Sequence, residues 1–356
     1  MSGAADDAVV LTLNPGSSSL KVSVRGPGIE LRRQVDRLPT GGAVDAVAGF
    51  EALLRERGIR PDAVAHRVVH GGPDHHAPTR VDEALLADLR AAVPLAPLHL
   101  PQDLAAIAAA RLAWPDAEHV ACFDTGFHAD LPAWSRRLPV PAEFVAAGVR
   151  RYGFHGLSIQ SVLHARPDLG GAVIAHLGGG CSVTAVTADG RPRHTTMSLT
   201  PTGGMLSGTR SGDLDPEILL HLIESAGYSV ARLRELLNRQ SGLAGIADGP
   251  HDLRDLLAST DPRAALALEV FVHGAAAAIA GCASALDRWD SLVFTGGIGE
   301  HCQPVRDRVS RRVLALRDGL RVFVVPADEE GVLDRAARQL LGARIATLAA
   351  GPLGPV

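Results

Sequence analysis

Val9-Val10-Leu11-Thr12-Leu13-Asn14-Pro15-Gly16-Ser17-Ser18-Ser19-Leu20-Lys21-Val22-Ser23-Val24 is the stretch whose reading decides the fold. Val9 to Leu13 is a β-branched and apolar run, Asn-Pro-Gly-Ser is turn chemistry, and Lys21 to Val24 alternates as a strand does. The spacing predicts a hairpin with a glycine- and serine-rich tip. The same grammar returns at Val173-Ile174-Ala175-His176-Leu177, a turn Gly178-Gly179-Gly180-Cys181-Ser182, and Val183 to Val186. Aligning Leu13 with Leu177 puts Gly16 on Gly180, so the chain reads as two related halves. A third apolar run, Leu292 to Thr295, ends in Gly296-Gly297-Ile298-Gly299-Glu300, read as another glycine turn, and follows an Ala-rich helical stretch from Pro262 to Leu286. Helices are also predicted over 82–92, 102–112, 216–238 and 329–341. Hairpins followed by helices, twice over, predict an α/β protein with two sheets facing a cleft, a common setting for a nucleotide.

The length of 356 residues allows two packed domains, and 46% apolar with 21% charged residues is ordinary globular composition. A formal charge of −4 supplies no basic field for nucleic acid or an anionic membrane, so neither is expected as a partner and any anion site must be local. Cys122, Cys181, Cys282 and Cys302 lack CxxC spacing, no apolar signal core stands near Met1, and the apolar stretch Gly274 to Ala283 is too short to span a bilayer. These features predict a cytoplasmic protein with reduced thiols. Lys21 is the one lysine against 34 arginines. A compact ammonium at the foot of a glycine-serine turn suits a phosphate, and the alternative is a stray residue in an arginine-biased chain.

Turns of glycine and hydroxyl residues offer backbone N–H groups to anions, although any one alone reads as a plain tight turn. Three occur, with tips near Gly16, Gly180 and Gly299. Arg67 sits inside the strand-like run His66-Arg67-Val68-Val69-His70 and needs a partner anion, either a ligand or a structural salt bridge. Asp124, in Phe123-Asp124-Thr125-Gly126, falls at a strand end, where a metal or phosphoryl site and a helix cap are equal readings. His155, in Tyr152-Gly153-Phe154-His155-Gly156, reads alone as a packed histidine. Arg210, in Gly208-Thr209-Arg210-Ser211-Gly212-Asp213, lies between glycines that let backbone approach a ligand.

Taken in order, Asn14 to Lys21, His66 to Gly72, Ala96-Pro97-Leu98-His99, Phe123 to His128, Tyr152 to Gly156, His176 to Gly180, Gly208 to Asp213 and Gly297 to Glu300 closely resemble the acetate kinase family over nearly the whole chain. The resemblance implies the two-domain actin-like/sugar kinase/Hsp70 (ASKHA) fold, with a duplicated βββαβα-type core and an interdomain cleft. One lobe is expected over 1–128 plus 331–356 and a nucleotide-binding lobe over 129–330. It implies reversible Mg²⁺-dependent phosphoryl transfer from ATP to acetate, giving acetyl phosphate and ADP, with Mn²⁺ as an alternative ion and a homodimer as the assembly. Arg67, Asp124, His155 and Arg210 are then the catalytic set, and Asn14 and Glu329 the metal ligands. Arg67, Lys21, Val69, Leu98, Phe154 and Pro201 are implied to bind the acyl substrate. Lys21, Ser17, Ser19, His176, Leu177, Gly178, Gly179, Gly180, Asp252, Leu253, Arg254, Gly297, Ile298, Gly299, Glu300 and His301 are implied to bind the nucleotide.

The residue types suit that chemistry. A carboxylate is ionised at neutral pH, so the difficulty is bringing two anions together, which positioning and charge neutralisation address. Leu100, Ile159, Gly179, His301 and Asp328 depart from the family's pattern, as does the shorter chain; these touch nucleotide preference and the shape of the site. A kinase for propionate or butyrate, and a catalytically silent nucleotide-binding relative, are the other readings.

Overall fold

The computed structural model describes residues 3–16, 19–36, 42–249 and 252–350. It divides into two compact units, Met1–Phe127 with Asp328–Val356, and His128–Ala327. Asp328 to Glu330 therefore go with the first unit and His128 with the second.

In the first unit, β1 (Val10–Pro15), β2 (Ser19–Gly26) and β3 (Ile29–Asp36) form an antiparallel meander. Strands β4 (Ala63–Val68) and β6 (Glu118–Phe123) add in parallel beyond β1, and the short β5 (Thr79–Arg80) edges β6, giving the order β3-β2-β1-β4-β6-β5. Strand β1 is buried at every position because both of its faces are covered. Leu11 and Leu13 pack with Val47, Phe50 and Leu54 of α1 (Gly42–Glu56). The other face meets the C-terminal helix Glu329–Ala350, which packs on β1, β4 and β6. Two more helices, α2 (Glu83–Ala91) and α3 (Leu100–Ala113), lie between β5 and β6 in sequence; the carboxylate of Asp82 caps α2 by accepting the Leu85 N–H at 2.8 Å.

The second unit repeats the plan. An antiparallel meander of β7 (Ala172–Leu177), β8 (Cys181–Val186) and β9 (Pro192–Thr195) carries β10 (Ser291–Thr295) and β11 (Arg321–Val324) in parallel beyond β7. Its order, β11-β10-β7-β8-β9, is the first sheet's order without the edge strand, so the duplication expected from the paired hairpins extends to the whole topology. Six helices complete what the site requires: α4 (Gly156–Ala165), α5 (Pro216–Glu224), α6 (Val230–Arg239), α7 (Leu253–Ala258), α8 (Pro262–Ala283) and α9 (Gly296–His301).

Four sequence expectations need correction. The helix read over 216–238 is two, α5 and α6, broken at Gly227, whose φ of +68° leaves the helical region, before Ser229 caps α6. The third glycine turn is not a turn, since Gly296 to Glu300 opens α9. The C-terminal helix runs to Ala350, well past Leu341. The apolar segment around Gly274 belongs to the 22-residue α8, long and apolar enough by length and composition to cross a membrane. Its Leu268, Phe271, Val272, Ala275 and Ile279 are instead buried in the core of the second unit.

Two buried polar arrangements make the first unit's stability depend on pH in opposite senses. His66 and His119 stack with centroids 5.3 Å apart, their rings share a hydrogen bond of 3.0 Å, and His119 Nε2–H donates to the Trp114 carbonyl at 3.0 Å. Burial holds both below the usual 6.5, so their contribution is full above that pH and is lost as pH falls through it. Asp103 of α3 is 3% exposed and accepts the Val69 N–H at 2.8 Å. Burial pushes its carboxyl up from 3.8 to about 7, against the pull of Arg67 and the Val69 N–H. Its contribution is full below the unfolded value near 4 and is lost as pH rises through 7. In a denaturant-unfolding series from pH 5 to 8.5, Asp103→Asn, which keeps an acceptor for Val69, should gain on wild type as pH rises from 5 to 7, by about 3 kcal/mol across the series. A gap that does not change with pH would show that Asp103 does not titrate in this window.

Candidate active site

In the first unit the sheet ends on a half-buried guanidinium. Arg67, one residue before the end of β4, donates from Nε to Asp124 Oδ2 at 2.9 Å, from Nη2 to the same oxygen, and from Nη1 to the Pro15 carbonyl at the end of β1. Asp124 follows the last residue of β6 and is 1% exposed. Burial opposes the charge on Arg67, but Asp124, Glu329 and Asp103 more than offset it and its pKa moves up. Arg67 is a permanent cation. Asn14, 5% exposed on β1, donates from Nδ2 to Glu329 at 2.8 Å and Glu330 at 2.9 Å, two carboxylates in the first turn of the C-terminal helix. Lys21 is paired with Asn14 across the hairpin, so the two share a face. Its side chain is exposed and forms no ion pair among the described residues.

In the second unit, His155 and His176 stack with centroids 4.1 Å apart. His155 has φ +60°, a left-handed conformation that only Asp248 shares among the described non-glycine residues, and it stands at the N-cap of α4. A non-glycine residue there costs roughly 1–2 kcal/mol. The ring is held at Nδ1 by Ser182 of β8 at 2.9 Å, and His176 at Nδ1 by Ser158 of α4 at 2.8 Å. Gly180 lets two side chains approach the turn closely: a Cβ there would lie 2.8 Å from Arg210 Nη1 and 3.3 Å from His155 Nε2. Arg210 also donates to the buried Pro201 carbonyl at 3.3 Å. At the start of α9, Gly296 has φ +77° and a Cβ there would meet His176 Nε2 at 3.0 Å.

The structure thus brings Asn14, Lys21, Arg67, Asp124 and Glu329 together in one unit, and His155, His176, Gly178, Gly180, Arg210 and Pro201 in the other. Of the acyl-pocket set, Val69 and Leu98 belong to the first unit and Phe154 and Pro201 to the second; Val69 and Phe154 are buried and Leu98 is half-buried. Several nucleotide residues are engaged locally. Leu177 and Leu253 are core side chains, and Ile298 packs partly against the same core. Asp252 caps α7 and chelates Arg254, whose side chain is 87% exposed. Glu300 accepts the N–H groups of Gly296 at 2.9 Å and Ala327 at 3.0 Å, while His301 is exposed. The turns spend donors on themselves, since Gly16 N–H goes to the Ser19 carbonyl at 2.7 Å and Gly178 N–H to the Gly180 carbonyl at 3.1 Å. Gly179 and Gly297 face open space. Ser17 lies outside the described residues.

Sequence reasoning missed Asp103, Glu330, Ser158 and Ser182. Asp103 carried the clearest signal, an acid on the apolar face of a helix; the serines carried none, because a serine in a strand or helix is unremarkable until its partner is known.

The donor set of the first unit was tested for a divalent ion. No group of three or more His, Cys, Asp or Glu with metal-holding geometry occurs among the described residues, so no cage of protein ligands is built. Mg²⁺ does not require one, because it binds through one or two carboxylates, with waters and substrate phosphates filling its octahedron. The Glu329 and Glu330 carboxylates, drawn together by the Asn14 Nδ2–H donors, are hard oxygen ligands that fit that role, and the Asn14 amide oxygen is a third of the same kind.

The family model described as the acetokinase family matches residues 44–322. The acetate kinase of Methylocella silvestris is 37% identical over 93% of this chain and 98% of its own, and that of Deinococcus radiodurans is 38% identical over 94% and 98%. Among solved structures, the acetate kinase of Porphyromonas gingivalis superposes with a TM-score of 0.80 at 29% identity, over 94% of this chain and all of that one. The propionate kinase of Francisella tularensis does so with the same score and identity over 93% and 98%. The fold is accordingly the two-domain kinase fold that the paired hairpins and the resemblance implied. On sequence, topology and the composition of the two residue clusters, the chain belongs to the acetokinase family.

Proposed function

We propose that this protein is an acetate kinase that transfers a phosphoryl group reversibly between ATP and acetate. The observation that carries the reading, beside family membership, is the half-buried Arg67 clamped by Asp124 and the Pro15 carbonyl next to the Asn14–Glu329 pair. A carboxylate nucleophile needs no base, so this chain's residues have to attract, orient and neutralise. Arg67 supplies a fixed cation whose donors are aimed by Asp124, and Arg210 and His155 supply further donors beside Gly180. Lys21, exposed on the face of Asn14, draws in a phosphate or the acyl phosphate. The glycine turns let a nucleotide lie close to backbone. Asn14 and Glu329, with Glu330, would hold Mg²⁺ or Mn²⁺, which when bound neutralises phosphate charge. The four cysteines are free thiols, which suits a reducing cytoplasm.

Helix α5 has no buried residue although most of it is apolar. With Leu214, Ile218, Leu220, Ile223, Tyr228 and Val230 all more than a third exposed, it forms an apolar face that a second copy of the chain would cover. Ile218→Glu combined with Ile223→Glu should shift sedimentation from dimer to monomer; an unchanged dimer would place the interface elsewhere.

The Francisella likeness makes propionate the second substrate to weigh, and one methylene is worth only about 1–3 kcal/mol in an apolar pocket. Turnover trapped as hydroxamate should rank acetate above propionate and butyrate, and a series led by propionate or by butyrate would make this chain a kinase for that acid instead. ATP binding without any acyl phosphate would make it a silent relative. Arg67→Ala and Arg210→Ala should each lose roughly 10³-fold or more in kcat while the protein stays folded. Near-full turnover in either variant would remove that arginine from the mechanism.

A further inference from the structure

Two stacked imidazoles in the second unit share a design that the transfer chemistry alone does not call for. His155 and His176 come from different elements, the N-cap of α4 and the end of β7. Each has its Nδ1 fixed by a serine hydroxyl: Ser182 Oγ at 2.9 Å on His155, Ser158 Oγ at 2.8 Å on His176. Both serines are fully buried. The pairing is crossed, for Ser182 sits on β8 opposite His176, and Ser158 on α4, the helix that His155 caps. Ser158 therefore ties the helix of His155 to the ring of His176, and Ser182 ties the strand paired with that of His176 to the ring of His155. The opposite ring nitrogens face the glycine turns. His155 Nε2 borders the space of the missing Gly180 Cβ together with Arg210 Nη1, and His176 Nε2 lies 3.5 Å from the Cβ position of Gly178 and 3.0 Å from that of Gly296.

A neutral imidazole can donate from one nitrogen only, and its second partner selects which. A serine hydroxyl donating to Nδ1 leaves the proton on Nε2, where it can be given to an anion. A serine accepting from Nδ1 would leave a lone pair there, which repels one. We propose that Ser182 and Ser158 are positioning residues that lock His155 and His176 as Nε2–H tautomers aimed at the glycine turns, making the stacked pair a two-donor platform for phosphoryl oxygens. This rests on the reading of His155 as a donor in phosphoryl transfer. The left-handed backbone of His155 agrees with it, because the crossed tie to β8 holds the ring in a conformation the local chain disfavours.

The test pairs a spectroscopic and a kinetic measurement on the full-length enzyme. Long-range ¹H–¹⁵N correlation of histidine-labelled protein at pH 7.5 should show His155 and His176 as Nε2–H tautomers, and Ser182→Ala should lose that signature for His155 alone. In the hydroxamate assay Ser182→Ala should lower kcat about tenfold with less than twofold change in KM for acetate, and Ser182→Thr, which keeps the hydroxyl, should restore most of it. An Nδ1–H tautomer for His155 in the wild type overturns the proposal, even if the alanine variant fails to fold. Wild-type kcat in folded Ser182→Ala, with His155→Ala impaired, also overturns it while leaving the role of His155 intact. Full turnover in His155→Ala would instead overturn the reading on which it rests.

Discussion

A guanidinium largely withdrawn from water is the constraint around which the first unit is organised. An unpaired charge at the position of Arg67 would cost several kcal/mol, and the cost is offset only because four segments converge on it. The carboxylate comes from the end of β6, the carbonyl from the end of β1, and Asp103 and Glu329 add negative field from two helices. Each donor of the fork is thereby given a direction. The arrangement needs the parallel order β1-β4-β6, because only adjacent strands running the same way bring Pro15, Arg67 and Asp124 to one edge.

The second unit follows the same geometric rule with different groups. Its parallel strands β7 and β10 end at Leu177 and Thr295, and the glycines of both connections follow directly. Open α/β sheets bind ligands beyond the carboxyl ends of their parallel strands, where backbone turns away and leaves room. Polar side chains such as His176 are tolerated in otherwise apolar strands there because their neighbours on adjacent elements are hydroxyls rather than aliphatic groups. Duplication of one topology thus yields two edges of the same shape, one carrying charge and oxygen donors, the other imidazoles and glycines.

Much of this was legible in the sequence, for reasons particular to each element. The hairpins at 9–24 and 173–186 declare themselves because strand alternation and turn residues are local properties, and their likeness announced the duplication. The strand β3 was invisible: Ile29 to Asp36 contains three arginine or glutamine residues in a row and belongs to an exposed edge, where side chains say little about pairing. The break between α5 and α6 was hidden because both helices keep their apolar period across Gly227. At the site, Arg67 was found through its incongruity among apolar neighbours, and its partner Asp124 through a strand end. What sequence could not supply was long-range pairing: Glu330 with Asn14, Asp103 with the Val69 N–H, Ser182 with His155. Such contacts arise only once strands and helices distant in the chain are packed.

The single lysine has a consequence in the laboratory as well as in the fold. Amine-reactive reagents meet one side-chain target in this chain, and it is exposed and adjacent to Asn14. Every other cation is an arginine, inert to the same chemistry. Modification of Lys21 is therefore a side-chain reaction that can be followed at a single residue by peptide mass without any engineered label.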